Sequence, residues 1–403
     1  MKKAGVIIYR KALVLSILAL LVFPLAESQG HWIRNFPIQE RVQPAARPAR
    51  FWEGVFKREW QIYEEQHFLH RLANFRAFLI FSYNEAKHRL FPRRPNDHYI
   101  WTPELGYYPD DTIRRLNADV LHRDATEQHY LQAARRLRTL QERLKQRGVT
   151  LLIVPAPTKV RLYPEYVAPY LVAPAETIMK QAVSYGDVLE ENGVNVLNVQ
   201  RLLTEKKATS PWPFFTTTSF HWSYYTGCAV TDDILRKAET LSGRSYFAVD
   251  CSEVTYGKAQ WSDTDIAVIL NIFSKDAIIG KAPFPKITPR QNADAKGYKI
   301  AVIGDSFSDQ IVYTLLQALP EESWTPDWLT VYATGVSRRM ATKDRGLTPA
   351  EELSKGDLLR EILKKELLIL EVSDGMVYRD GNLDAMEYGV TKTLLEGLAP
   401  DAF

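Results

Sequence analysis

Hydrophobic and polar residues change their spacing several times along this chain, and each change marks an element. Residues 12–23 form an apolar run, and residues 29–50, with Pro37, Pro44 and Pro48, read as an extended linker. Over 51–91 the period turns helical. Phe68, Leu72, Phe75, Leu79 and Tyr83 recur every three or four residues, which predicts one buried stripe. Residues 92–117 are irregular and proline-rich. The spacing over 125–147 predicts a helix with Tyr130, Ala134, Leu137 and Leu144 on its inner face and Gly148 as its stop. The next run, 149–154, is continuously apolar, as in a strand buried on both faces. The alternation continues with a helix over 177–191, a strand over 194–199 and a helix over 223–241. Residues 242–298 are poorly periodic and read as an insertion with short strands such as 266–272. Three more buried strands follow at 299–303, 329–333 and 367–372, with helices at 309–319 and 349–365. This order predicts an α/β fold, a parallel sheet with helices on both faces.

The N-terminus adds an address. Lys2, Lys3, Arg10 and Lys11 precede the apolar run, and Pro24-Leu25-Ala26-Glu27-Ser28 offers a small-x-small cleavage site. That is the three-part pattern of an export signal, and the run is short for a spanning helix, which needs about 20 apolar residues. Residues 1–28 are therefore a signal peptide or a retained N-terminal membrane anchor. The rest divides into the linker (29–50), a helical and irregular extension (51–124) and the α/β domain (125–403) with its insertion at about 242–298.

The totals exclude more than they select. Lys+Arg 51 against Asp+Glu 48 leaves a net charge of +3, and no basic block interleaved with aromatics marks a nucleic-acid partner. The 9 Trp, 20 Tyr and 17 Phe suit a sugar groove or a core. Cys228 and Cys251 are too few for a disulfide scaffold, though one bridge can form in an oxidising compartment. No residue pattern suggests a metal site.

Chemistry is concentrated after the strand at 299–303, in Gly304-Asp305-Ser306-Phe307-Ser308. A strand-to-helix turn in an open parallel sheet lies at the carboxyl edge, where ligands bind. A serine there meets the free N–H groups of a helix N-terminus, which favour developing negative charge. Ser306 is either a nucleophile or, like Ser308, a helix cap. A nucleophilic serine needs a base. Of the 8 histidines, His221 alone lies in a loop leading into a helix of the α/β portion, within Ser219-Phe220-His221-Trp222.

Together these motifs resemble the SGNH-type acyltransferases of the alginate O-acetylation proteins, in which the histidine motif precedes the serine motif. Two further stretches are similar to that family's elements: Pro155-Ala156-Pro157-Thr158-Lys159 with Tyr163-Pro164-Glu165, and the helical signature with Asn74-Phe75-Arg76, Asn84 and Lys87. The resemblance spans about 51–375. It implies an SGNH-hydrolase-like fold and export to the periplasm. It implies an acetyl donor supplied by a membrane-bound O-acyltransferase, with no soluble cofactor or metal. It also implies a triad of Ser306 and His221 with an acid where this chain has Ser219; Asp263 or Asp265 could substitute. Asp305 would support the turn, and the N–H groups of Ser306 and Gly335 could form the oxyanion hole. Lys159 and Arg161 either face an anionic sugar or solvate a loop.

The expected function is O-acetylation of an exported polysaccharide, alginate- or cellulose-type, through an acetyl-serine. The alternatives are a non-catalytic polysaccharide-binding or assembly subunit and a carbohydrate esterase.

Overall fold

The computed structural model describes residues 57–71, 73–95, 98–168, 170–290, 299–318, 329–333, 337–340, 351–352, 355–374 and 387–398, with scattered positions before 57. Gly335 and most of the N-terminal signal and linker lie outside the described residues. Among the described residues, no helix is long and apolar enough to cross a membrane. The chain forms two compact units, Met1–Asn96 with Ala267–Ile278, and Asp97–Ile266 with Ile279–Phe403.

In the first unit, helices α1 (Glu59–Arg71) and α2 (Ala73–Leu90) follow one another. The buried face of α2 is not the expected stripe. Leu79 and Tyr83 are exposed, whereas Ala77, Phe81 and Glu85, four residues apart, are buried. The side chains of Phe68 and Leu72 lie outside the described residues. The inner face is selected by polar bonding that hydrophobic periodicity does not register. Glu85 accepts from the backbone and hydroxyl of Ser274 at 3.1 and 2.9 Å, and Phe81 meets Phe273 at 5.4 Å.

The second unit opens with a hairpin of β1 (Tyr99–Thr102) and β2 (Gly106–Pro109), then α3 (Asp110–Leu121) and α4 (Arg123–Lys145). Next come β3 (Thr150–Ala156) and the short helices α5 (Lys159–Leu162), α6 (Ala175–Gln181) and α7 (Tyr185–Glu191). The single helix expected over 177–191 is thus two, because Ser184 starts a new one by accepting from Asp187 N at 3.3 Å. The strand expected over 194–199 shrinks to one parallel bridge, Ile153 with Val196. Asn198 instead caps α8 (Val199–Lys206).

Helix α9 (Tyr224–Ser242) leads to β4 (Ala248–Asp250) and β5 (Val254–Lys258). Residues expected as a strand at 266–272 begin in helix α10 (Asp265–Ile269), followed by α11 (Lys275–Ile278) in the first unit. Strands β6 (Lys281–Pro285) and β7 (Thr288–Arg290) pair with β5 and β4. The remaining elements are β8 (Ile300–Gly304), α12 (Ser308–Ala318), β9 (Leu329–Ala333), β10 (Ser337–Met340) and β11 (Glu351–Glu352). The chain then closes with α13 (Lys355–Ile362), β12 (Leu367–Ser373) and α14 (Glu387–Gly397).

The main sheet has the order β11-β10-β9-β8-β12-β3, and its β9-β8-β12-β3 portion is parallel. Side chains of successive strand residues point to opposite faces, so each strand supplies two cores. Leu152, Val302 and Ile369 pack with α9 and α12 on one face. Leu151, Ile303 and Leu370 pack with α4, α7, α13 and α14 on the other. The helices that follow β8 and β12, adjacent strands, therefore cover opposite faces. That arrangement opens a crevice at their carboxyl ends.

Cys228 of α9 and Cys251, just past β4, form a disulfide across 23 residues. Closing a loop of that length stabilises a fold by about 3 kcal/mol, chiefly by restricting the unfolded chain. Replacing both cysteines with serine is expected to lower unfolding free energy by about that amount in urea melts; a loss under about 1 kcal/mol would contradict this.

Candidate active site

The crevice is built around the turn after β8. A Cβ at Gly304 would stand 2.5 Å from Ser308 Cβ and 2.8 Å from Glu371 Oε2, so only glycine lets the strand enter this turn. Asp305 then fixes the turn with every acceptor it has. Its carbonyl accepts from Ser308 Oγ at 2.7 Å, Oδ1 from Phe307 N at 2.9 Å and Oδ2 from Ser373 N at 2.9 Å. Asp305 N–H donates to Glu371 Oε2 at 3.0 Å. The result is an exposed Ser306 on a buried frame, two residues before α12. Its Oγ projects where free N–H groups of the helix start favour negative charge.

The histidine arrives from the opposite side. Phe215 bridges Trp222 in antiparallel fashion, Ser223 caps α9, and the buried Trp222 packs at 5.3 Å on Phe307. Helices α9 and α12 approach closely because Gly227 faces Gln310, whose Cβ would lie 2.3 Å from a glycine substituent. The His221 ring is held between Phe220 and Phe307, at 3.9 and 4.9 Å between centroids. Its Nε2 lies 2.6 Å from Ser306 Oγ.

Behind the ring stands Asp265. Its Oδ2 accepts from His221 Nδ1 at 2.5 Å, while Oδ1 accepts from Phe220 N at 3.2 Å and Ile266 N at 2.5 Å. With the Nδ1–H donated to Asp265, Nε2 presents its lone pair to the serine hydroxyl. Ser219 does not take the acid's place against the ring. Its Oγ accepts from His221 N at 2.9 Å, donates to His221 O at 3.1 Å and lies 3.4 Å from Asp265 Oδ2. A hydroxyl at 219 therefore shapes the loop, and the carboxylate comes from 44 residues downstream of His221, at the start of α10.

Three buried ionisable groups surround this frame. Lys159, at the start of α5, donates to the carbonyls of Leu105, Tyr107 and Thr216 at 3.1, 3.0 and 2.7 Å. It ties the first hairpin to the His221 loop, and burial pushes its ammonium down to about 7. Asp263 is also buried. Its carbonyl accepts from Thr216 and Thr218, but its carboxyl oxygens find no hydrogen-bond partner among the described residues, and burial beside Asp265 pushes it up to about 8. Glu371, on β12, is raised well above the ordinary carboxyl range, first by burial and then by Asp305. Arg161 pairs with Asp119 and, at 2.6 Å, with Asp374. Lys159 and Arg161 thus neither solvate a loop nor face an open groove. Glu371 was legible as the one charge in Leu-Leu-Ile-Leu-Glu-Val-Ser, although nothing in the sequence said what it would touch. No group of three or more potential metal ligands occurs among the described residues.

Residues 116–326, more than half of the chain, match the profile of the SGNH hydrolase-like domain of the acetyltransferase AlgX. The chain belongs to that family. Solved structures similar to this AlgX-family chain include the O-acetyltransferase domain of Pseudomonas putida AlgJ. That match has 15% identity and a TM-score of 0.44, covering 74% of this chain and 99% of the other. Pseudomonas aeruginosa AlgX matches with 13% identity and a TM-score of 0.41, over 66% of this chain and 62% of its own. Bacillus cereus PatB1 with a sulfonyl adduct matches with 12% identity and a TM-score of 0.40, over 63% and 90%. No curated protein matches the chain.

Proposed function

We propose that this AlgX-family protein is an O-acetyltransferase that acts on an exported polysaccharide through an acetyl-serine. The observation that carries the reading is the continuous run Ser306–His221–Asp265, with contacts of 2.6 and 2.5 Å. In the first half-reaction Ser306 Oγ attacks the acetyl carbonyl while His221 Nε2 takes its proton. The Ser306 N–H and the α12 start stabilise the oxyanion. The tetrahedral adduct collapses to acetyl-serine, and the proton on Nε2 passes to the leaving group. In the second half, Nε2 takes the proton of a sugar hydroxyl whose oxygen attacks the acetyl-serine. Breaking the Ser306 Oγ–acyl bond returns that proton to Oγ. Asp265 keeps the ring in the required tautomer and balances its charge in both halves.

The donor on this reading is a membrane-bound O-acyltransferase, and the compartment is the periplasm, with the N-terminal segment as signal or inner-membrane anchor. The export-type N-terminus and the Cys228–Cys251 disulfide support an oxidising compartment. The non-catalytic alternative rested on a missing acid at 219, and the Asp265 carboxylate behind the His221 ring favours the catalytic reading over it.

The transfer is tested by incubating the protein with an activated acetyl ester and polysaccharide fragments, then following O-acetyl signals on the sugar by NMR. Transfer that disappears in Ser306→Ala is expected. Acetate release with no acetylated sugar would make the protein an esterase instead.

A further inference from the structure

Strand β12 carries a single ionisable residue, Glu371, and it lies under the nucleophile turn. Leu367 and Ile369 belong to the core that β12 shares with α9 and α12, so the two-residue period puts Glu371 on that same face. Leu370 pairs with Ile303 of β8, which brings Glu371 beside Gly304. The bare backbone of Gly304 makes room for the carboxyl, since a Cβ there would lie 2.8 Å from Glu371 Oε2. Glu371 is fully buried, and Oε2 accepts from Asp305 N at 3.0 Å. Oε1 has no hydrogen-bond partner among the described residues. Stability does not account for this residue. A leucine would extend the apolar layer of β12 without burying a carboxyl oxygen that nothing satisfies.

The amides of the turn show what the carboxyl does. Phe307 N donates to Asp305 Oδ1 at 2.9 Å, and Ser308 N donates to the Asp305 carbonyl at 3.0 Å. With Asp305 N taken by Glu371, the Ser306 N–H is left without a partner among the described residues. That is the amide an oxyanion on the Ser306 adduct needs. Without an acceptor at 371, the buried Asp305 N–H would compete for the carboxylate of its own residue. The carboxylate would then be drawn off Phe307 N, and the turn that aims Ser306 Oγ at His221 would rewind.

The two carboxyl groups divide the charge between them. Asp305 accepts a backbone N–H on each oxygen, from Phe307 and Ser373, which suits the ionised form. Glu371 has one N–H, complete burial, and the carboxyls of Asp305 and, from α12, Asp309 facing it, which suits the acid that keeps its proton. A neutral group here adds no negative charge beneath the place where the oxyanion forms.

We propose that Glu371 is a positioning residue for the acyl-transfer step, an uncharged acceptor that fixes the Asp305 amide and so sets both Ser306 Oγ and the free Ser306 N–H. This deepens the acetyl-serine reading and rests on Ser306 being the nucleophile.

The test follows modification of Ser306 in the full chain by a fluorophosphonate, in which the serine oxygen displaces fluoride, and by an activated acetyl ester. Wild type is compared with Glu371→Leu and Glu371→Gln, and saturation separates kinact from KI. In Glu371→Leu, kinact is expected to fall at least about tenfold with KI unchanged, because the reacting atom is displaced and the entrance is not. Its melting temperature is expected to stay within about 3 °C of wild type. Glu371→Gln, neutral and of the same shape, is expected to restore kinact to within about threefold of wild type. A leucine variant that reacts as wild type does would overturn the proposal. So would a loss confined to KI, a loss matched by a collapse of the melting temperature, or a glutamine variant as slow as the leucine one. If wild type takes the fluorophosphonate and never the acetyl group, the transferase reading fails and the comparison at 371 still decides the proposal. A wild type that takes neither overturns both.

Discussion

Asp265→Asn is expected to cut acyl transfer by about 10⁴-fold while leaving the protein folded. An amide behind the imidazole can hold the ring with the wrong nitrogen protonated, which turns an N–H toward Ser306 Oγ. It also removes the charge that balances the imidazolium formed as the serine gives up its proton. The partially exposed carboxylate is otherwise bonded to two backbone N–H groups and Ser219, so the amide fits the space. Ser219→Ala is the necessary companion. That change removes a loop hydrogen bond worth about 1 kcal/mol and leaves turnover within about tenfold of wild type. The measurement is kcat for an acetyl ester in the three proteins. Equal losses in the two variants would assign the acid's role jointly to position 219 and reject Asp265 as the sole orienting charge.

Lys159→Met is expected to destabilise the second unit by about 3 kcal/mol or more, because three buried carbonyls lose their donor together. The loss should carry a pH signature. Lys159 in the folded protein sits at about 7, below the ordinary lysine value of about 10.4, so the unfolded chain binds more protons between those values. Its burial penalty is complete below about pH 7 and is relieved as pH rises toward 10. Asp263 has the opposite sign. Raised to about 8, it favours folding fully only below about pH 4 and loses that contribution as pH climbs through 8. Wild type should therefore regain stability above about pH 8, and Lys159→Met should not. Urea melts at about pH 8 and about pH 10 check this. A variant that follows wild type at both values would contradict the placement of Lys159 as a buried knot.

How far the sequence carried depended on what each signal encodes. The continuous apolar runs at 149–154, 299–303, 329–333 and 367–372 became β3, β8, β9 and β12 with little change at their ends. Strands β3, β8 and β12 are buried on both faces, so apolar residues dominate them and their runs stand out even with Thr150 and Glu371 inside. The run at 194–199 failed for a local reason. Asn195 and Asn198 spend their side chains on Leu151 O and on the cap of α8, which halts the ladder after one bridge. Helix α2 failed because buried Glu85 defines its inner face and hydrophobic spacing cannot see a buried carboxylate. Ser306 and His221 were found by motif, and their 2.6 Å contact is what the strand-to-helix geometry needed to supply. Asp265 could be named only as one of two acids in an aperiodic stretch. Choosing it over Asp263 depends on a two-residue difference in how a turn is wound, and no composition or spacing rule encodes that.

The central claim is that Ser306 accepts an acyl group from an ester with His221 as its base. The direct measurement is mass spectrometry of wild type and His221→Ala after exposure to an activated acetyl ester, with a known serine hydrolase as the labelling control. An acetyl adduct on the peptide containing Ser306, absent in His221→Ala, is the predicted result. An unlabelled Ser306 beside a fully labelled control would contradict it.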